Sequence, residues 1–367
     1  MLVAVFFAAT LCGTLLWVLL RGFGSSFRGS ARGGTPDPRA NWNQLAVPTT
    51  QRITSPQAAA EILRSGGLVA FPTETVFGLG ADATNPAAVE RLFEAKGRPG
   101  DNPLIVHVPT VQHWSLAASE LTPSAKALLA AFAPGPLTVV LPKRPEVSPR
   151  VTAGLTTVGV RVPHHPVAAE ILRLAGAPIA APSANRSGRP SGTTWRAVLE
   201  DLDGLVDAVY CEDGVPIGIE STVVDCCGPV PIVLRLGAIT IEQIRTIEPE
   251  AHVQATFAAR GDVPVASPGL RHPHYQPRAS VRLFTTAAEL ALPTDERLAY
   301  CGLEPLPGRI DAALEKVFPS LEAYAAGFYE FLREADRQAA TLILVQRAPS
   351  EGIGAALQDR QRRAAGK

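Results

Sequence analysis

Apolar and polar positions divide the chain into stretches of different character. From Leu2 to Leu20 no residue is charged, and Phe6, Phe7, Leu15, Leu16, Trp17 and Leu19 dominate. A run of that length and apolarity fits a membrane-spanning helix. Residues 21–48 interleave Gly, Ser and Pro with Arg21, Arg28, Arg32 and Arg39, the composition of a linker. From 49 to 247 short apolar runs alternate with helical periodicity. Helices are expected over 56–64 with Ser55 as cap, over 87–96 after Asn85-Pro86, and over 167–175, 195–202 and 240–247. Short buried strands are expected at 67–71, 104–108, 137–141, 157–162, 179–181, 208–211, 222–225 and 232–235. Strands interleaved with helices predict an α/β domain with a large sheet. Residues 248–279 lose the rhythm, with Pro264, Pro268, Pro273 and Pro277 around Gly269, and read as an ordered linker. A further domain over 280–367 shows a strand at 281–284, a long helix near 319–340, a buried strand at 341–345 and a helix at 355–363.

The flank of the first segment bears on location. Its arginines follow the apolar run, whereas the basic residues of a secretory signal precede it. By the positive-inside rule everything after residue 20 stays cytoplasmic, with membrane contact through residues 2–20. The other reading is a start codon placed too early, so that the segment is never made. Both readings leave the rest of the chain in the cytoplasm.

Composition narrows the chemistry. At 367 residues, 46% of them hydrophobic, the chain can build two domains and needs neither disulfides nor metals for its core. The 34 basic and 34 acidic residues cancel, so attraction to nucleic acid is not a whole-protein property and anion binding needs a local cluster. Five cysteines contain no C-x-x-C pair, and adjacent Cys226 and Cys227 suit neither an unstrained disulfide nor a zinc site. This predicts a reducing compartment and no structural metal. The phosphate-loop, nucleophile-elbow and H-E-x-x-H signatures are all missing.

Polar residues wedged against Gly and Pro at strand ends remain. Thr73, Glu74 and Thr75 precede Gly78 and Gly80, a pattern for a turn whose backbone approaches a ligand, or simply for a Gly-rich turn capped by Thr73. Lys96 and Arg98, taken as extended because Pro99 follows, would point the same way and clamp a polyphosphate. The bland alternative is a solvated basic turn at a helix end. Ser183 and Asn185 offer a hydroxyl and an amide on one side, and Ser221 lies in a similar polar turn. Arg161 and Arg235 sit in apolar strands, where a buried arginine needs an anionic partner. Together these residues describe a polar, positive cavity suited to a nucleoside triphosphate and a small carboxylate.

In order and spacing, PTETVFGLG, KGRPGDNPLIVHV, VGVRVP, APSANRSGRPSGT, GIESTVVD and LRLGAI resemble the threonylcarbamoyl-AMP synthase (L-threonylcarbamoyladenylate synthase) family. SPGLRHPHYQP at 267–277, with GFYEFLREAD and EGIGAALQDRQRRAA beyond it, resembles the linker and C-terminal domain of its two-domain type. The resemblance implies a twisted mixed α/β sheet around a positively charged central cavity, with a smaller Rossmann-like C-terminal domain. It implies a nucleotidyltransferase that converts ATP, L-threonine and bicarbonate to threonylcarbamoyl-AMP and pyrophosphate. A partner tRNA threonylcarbamoyl transferase would consume that product in forming N6-threonylcarbamoyladenosine, so that tRNA is met only indirectly or weakly. By the same resemblance, Thr75, His107, Arg161 and Ser221 would hold L-threonine. Arg98, Asn102, Thr157, Ser183, Ser191 and Arg235 would contact ATP, and Tyr275 would close over it. Lys96, Arg98, Ser183 and Asn185 would form the catalytic set, with Lys96 and Asn185 at the phosphates. Mg²⁺ is expected on ATP, with no protein side chain assigned to it. Phe77 stands where the family usually has Tyr, a change expected to affect packing only. Two alternatives carry different consequences. A module that binds double-stranded RNA or nucleotides would need neither a threonine pocket nor the Tyr275 lid. A membrane-tethered carbamoyl-transfer protein with another acceptor would rest on the apolar N-terminus alone.

Overall fold

A computed structural model of the chain describes residues 49–254, 274–286, 289, 296–306 and 312–366. The apolar segment 2–20, the linker 21–48 and the prolines at 264, 268 and 273 lie outside the described residues. Among the described residues no helix is long and apolar enough to cross a membrane. Residues Val47–Lys367 form one compact unit, and it carries both of the sheets described below.

The larger sheet is mixed and 11-stranded. Its strands are β1 (Gln51–Ile53), β2 (Val69–Phe71), β3 (Gly78–Asp82), β4 (Ile105–His107), β5 (Leu137–Pro142) and β6 (Thr157–Arg161). They continue as β7 (Ile179–Ala180), β8 (Ala208–Tyr210), β9 (Thr222–Asp225), β10 (Ile232–Arg235) and β11 (His252–Val253). The spatial order is β1-β8-β2-β3-β7-β4-β6-β5-β9-β10-β11. The helices follow local signals. In α1 (Pro56–Arg64) Ser55 Oγ accepts from the Ala58 amide and Pro56 opens the first turn, while Ala59, Ala60 and Leu63 face the core. In α2 (Pro86–Lys96) Asn85 caps the start and Gly97, at φ 58°, ends the helix in the left-handed region. The remaining helices of this part are α3 (Pro123–Phe132), α4 (Pro166–Ala175), α5 (Trp195–Leu202) and α6 (Ile241–Arg245).

The second sheet is parallel throughout, ordered β12 (Ser280–Phe284), β15 (Leu342–Gln346), β13 (Leu298–Gly302) and β14 (Leu314–Val317). Helices α7 (Leu321–Arg337) and α8 (Ile353–Ala364) pack on each other and against it. Their buried face, with Tyr324, Phe328, Tyr329 and Leu357, forms a core that also takes in Val76 and Ile219 from the larger sheet's loops. Gly218 explains how closely the parts approach. It has φ +76°, and a Cβ there would lie 2.4 Å from the Ala326 Cα of α7.

Two local expectations are corrected. Gly78 and Gly80 belong to a strand, β3, paired antiparallel with β2. Lys96 and Arg98 do not share an extended segment, because Lys96 is the last residue of α2 and the left-handed Gly97 turns the chain between them.

Candidate active site

Strand order builds the site. β4 and β6 run parallel with His107 opposite Arg161, and β5 pairs with β6 so that Thr138 faces Arg161. β9 lies beside β5 with Val223 opposite Thr138, which puts Ser221 just before the strand at the same end. His107, Arg161, Thr138 and Ser221 therefore form a row along one end of the sheet, all buried.

The loop leaving β2 meets this row. Arg161 Nη2 donates to Thr75 Oγ1 at 2.9 Å and pairs with Glu74 Oε1 at 2.8 Å. Glu74 is thus the anionic partner that a buried Arg161 requires. Burial alone would push the Glu74 pKa up, but the charge and hydrogen bond of Arg161 hold it below the usual carboxylate value. Thr73 Oγ1 shares a hydrogen bond with Thr75 Oγ1 at 2.9 Å and donates to the Val76 carbonyl, so it fixes the turn that presents Thr75. Burial and then the charge of Arg161 depress His107 to about 3, which leaves its imidazole neutral near pH 7.

A second group of cations adjoins this row. Arg235 donates through Nε and Nη2 to the Ser221 carbonyl at 3.1 and 2.9 Å, and through Nη2 to Ser221 Oγ at 3.1 Å. Thr138 Oγ1 meets the same hydroxyl at 2.8 Å. Arg98 donates to the carbonyls of Asn102 and Pro103, and burial lowers it to about 10, still charged at neutral pH. Lys96 Nζ donates to the carbonyls of Ser183 and Asn185, both at 2.5 Å. Burial and the nearby Arg98 charge push the Lys96 pKa well below its ordinary value. Asn185 turns its amide to the carbonyls of Arg186 and Arg189, and so braces the turn that Lys96 holds.

The roof comes from Tyr275. Its ring lies 5.0 Å from that of Tyr329 on α7, and its φ of +67° is a left-handed conformation that bulky residues rarely adopt. Burial raises its pKa to about 12, so the hydroxyl keeps its proton. Glu220, beside Ser221, accepts from Ser191 Oγ at 2.7 Å, from the Tyr329 hydroxyl at 3.0 Å and from Arg360 Nε of α8 at 2.9 Å. Burial pushes Glu220 up, yet Arg360 and Arg235 outweigh it and bring the carboxyl to about 2.

The structure gathers Thr75, Arg98, His107, Arg161, Ser183, Ser221, Arg235 and Tyr275 around one cavity. Lys96, Asn102, Asn185 and Ser191 stand behind its wall, each bonded to a residue of the wall or of the loop that forms it. Thr157 opens β6, at the opposite end of the strand from Arg161, and does not line the cavity. The free volume is about 50 Å³, space for a few waters and too little for a nucleotide. A roomier hollow of about 490 Å³, bordered by Pro109, Pro134, Pro163 and His165, holds none of the predicted site residues. The smaller one, lined by Arg98, Arg161 and Arg235, is the candidate site.

Sequence reasoning did not assign roles to Glu220, Thr138, His274, Tyr329 or Arg360. Glu220 carried a signal, as a carboxylate in an otherwise apolar and hydroxyl-rich run. Nothing distinguishes Arg360 from its neighbours in the charged helix QDRQRR, because its role depends on contacts across the two sheets.

The fold and site together define an α/β protein in which buried arginines surround a cavity roofed by a linker tyrosine. Residues 61–237 match the family model described as "Telomere recombination", and 239–366 match "Threonylcarbamoyl-AMP synthase, C-terminal domain". The chain is similar to the threonylcarbamoyl-AMP synthase of Bacillus subtilis, 41% identical over 321 residues that cover 84% of this chain and 92% of the relative. It is 39% identical to that of Pyrococcus abyssi over 320 residues, covering 84% and 93% of the two chains. The crystal structure of P. abyssi Sua5 complexed with L-threonine has a TM-score of 0.78 at 35% identity, covering 87% of this chain and 97% of that one. The chain belongs to the threonylcarbamoyl-AMP synthase family.

Proposed function

We propose that this chain makes threonylcarbamoyl-AMP from ATP, L-threonine and bicarbonate, releasing pyrophosphate, for N6-threonylcarbamoyladenosine formation in tRNA. The carrying observation is that Arg161, Thr75, His107, Ser221, Arg98 and Arg235 all line one cavity. The P. abyssi relative is a complex with L-threonine, which suits a small carboxylate beside Arg161. Arg161 Nε is buried with no hydrogen-bond partner among the described residues, a donor that the substrate carboxylate would satisfy. The hydroxyls of Thr75 and Ser221 would match the threonine hydroxyl and discriminate against valine, since an unmatched buried polar group is costly.

The chemistry follows from these groups. The threonine amine attacks the carbon of bicarbonate, a C–N bond forms, and water leaves to give the carbamate. A neutral His107 adds no positive charge against the amine. The carbamate oxygen then attacks the α-phosphorus of ATP, the bond to the β-phosphate oxygen breaks, and pyrophosphate departs. Negative charge builds on phosphoryl oxygens, so cations serve better than a covalent nucleophile. Arg98 and Arg235 meet that charge at the wall, while Lys96 keeps the Ser183–Asn185 turn in place. Glu74 and Glu220 are already paired with Arg161 and Arg360, and no group of three metal-ligating side chains occurs among the described residues. Mg²⁺ would accompany the ATP phosphates and neutralise their charge.

On this reading the chain is a cytoplasmic nucleotidyltransferase with a catalytic part over 49–247, a linker lid over 248–279 and a Rossmann-like part over 280–367. Its labile product passes to a tRNA threonylcarbamoyl transferase, and Tyr275 shields that product from water. The test is pyrophosphate release from Mg-ATP with L-threonine and bicarbonate added singly and together. Release is expected only with both, and valine should not replace threonine. Release indifferent to threonine, or none at all, overturns the reading.

A further inference from the structure

Arg360 is fully buried near the end of α8, yet every polar contact of its guanidinium leads to a wall of the cavity or to its own helix. Nε meets Glu220 Oε2 at 2.9 Å, next to Ser221. Nη2 meets the Leu236 carbonyl at 2.9 Å, next to Arg235. Nη1 meets Asp359 at 2.8 Å. The guanidinium carbon lies 5.8 Å from the centroid of the Tyr275 ring. One side chain from the C-terminal helices thus joins the segments carrying Ser221, Arg235 and Tyr275. Tyr329 adds to the same hub, through its hydroxyl on Glu220 and its ring against Tyr275.

Two considerations turn this geometry into a function. A buried ion pair is poor evidence for a purely stabilising role, since well-packed apolar groups do as well or better. Tyr275 also holds a left-handed backbone that a tyrosine leaves unless its surroundings prevent it. Among the described residues its restraints include the Tyr329 ring, the Arg360 guanidinium, the His274 ring at 5.4 Å and the hydrogen bond from Gln276 N to the Gly188 carbonyl at 2.8 Å. The first two come from the C-terminal helices.

We propose that Arg360, with Tyr329, is a positioning residue for the nucleotide end of the cavity, holding Tyr275 and the Arg235 strand end in the arrangement that receives ATP. This rests on the reading of the cavity as an ATP and L-threonine site. It gives the C-terminal part a share in substrate binding, although it contributes no group to the reacting atoms. A lysine cannot replace Arg360, because a single ammonium does not fork to Glu220 and Leu236.

The test measures ATP binding by calorimetry and steady-state kinetics for wild type, Arg360→Lys, Tyr275→Ala and the double variant. Arg360→Lys is expected to weaken ATP binding and raise its KM about tenfold, equivalent to roughly 1.4 kcal/mol. The KM for L-threonine should rise less than that for ATP, because Arg161 and Thr75 lie outside the Arg360 contacts and only Ser221 adjoins them. The double variant should lose less than the two single effects combined, since part of the action of Arg360 runs through that ring and the rest through Glu220 and Leu236. A fall in kcat alone, with both KM values unchanged, would reduce Arg360 to a structural role and overturn the proposal, as would effects that add independently in the double variant. If Arg360→Lys does not fold, Tyr329→Phe removes only the hydroxyl on Glu220 and should raise the ATP KM about threefold at native melting, the scale of one hydrogen bond. Wild-type ATP affinity in that variant then overturns the proposal. Wild-type protein that binds no ATP overturns the cavity reading itself, an outcome distinct from equal binding by wild type and variants.

Discussion

Buried ionisable groups decide how the site behaves with pH. His107 and His274 are both depressed to about 3, by burial first and then by Arg161 and Arg98 respectively. An unfolded chain protonates its histidines near pH 6.5, so as pH falls the unfolded state takes up protons first. The stability these neutral histidines contribute is intact above about pH 6.5 and drains away as pH falls towards their folded values. Glu220 adds a later loss, beginning below its ordinary value of 4.5 and running down to about 2. Replacing His107 with Gln should therefore flatten the fall in unfolding free energy between roughly pH 6.5 and 5. Denaturant titrations of both proteins at several pH values check this. Equal slopes would mean that His107 is already protonated in the folded state.

At the scale of elements, legibility followed the strength of local signals. Helices α1, α2 and α5 lie where their caps and apolar periodicity put them, as do strands β9 and β10. Strand β3 was misread because GLGAD has no β-branched residue and its glycines suggest a turn, although pairing with β2 and β7 makes it a strand. Helix α3 was overlooked despite its signal, with Thr122 capping and Pro123 at the start. The cavity residues were legible as polar residues at strand ends, but the bond from Arg161 to Glu74 spans 87 positions of sequence and only the fold reveals it. Gly218 shows the same limit, since a glycine in GIES does not announce a helix against it. Alanine at 218 must accept a left-handed backbone and collide with α7 at Ala326. Together these should cost about 2–4 kcal/mol, from the chirality penalty and overpacking. Thermal melting of Gly218→Ala gives the answer, and an unchanged midpoint would show that α7 can move away at little cost.

For the whole molecule, the two sheets share more than a linker. Val76 and Ile219, from loops of the 11-stranded sheet, are buried in the same core as Phe328 and Tyr329 of α7. Arg333 on α7 is also buried, with Nη2 2.7 Å from Asp201 at the end of α5 and a further bond to the Pro190 carbonyl. Removing the C-terminal helices would take these cations from Glu220 and Asp201 and leave Asp201 with Arg189 alone, and losing one partner from a buried ion network is destabilising. The larger sheet is therefore not expected to outlast the smaller one. Trp114 and Trp195 report on the larger sheet's surroundings, whereas buried Tyr324 and Tyr329 report on the α7 core. Tryptophan fluorescence and the tyrosine near-ultraviolet signal should then lose native character at one common midpoint, the test of two-state behaviour. ATP and L-threonine at saturating levels should raise that midpoint for both probes together, because a ligand that binds only the folded form stabilises whatever unfolds with its site. Separate midpoints, with ligands shifting only the tryptophan signal, would show that the α7 core unfolds independently of the cavity, contrary to the contacts through Val76, Ile219 and Arg360.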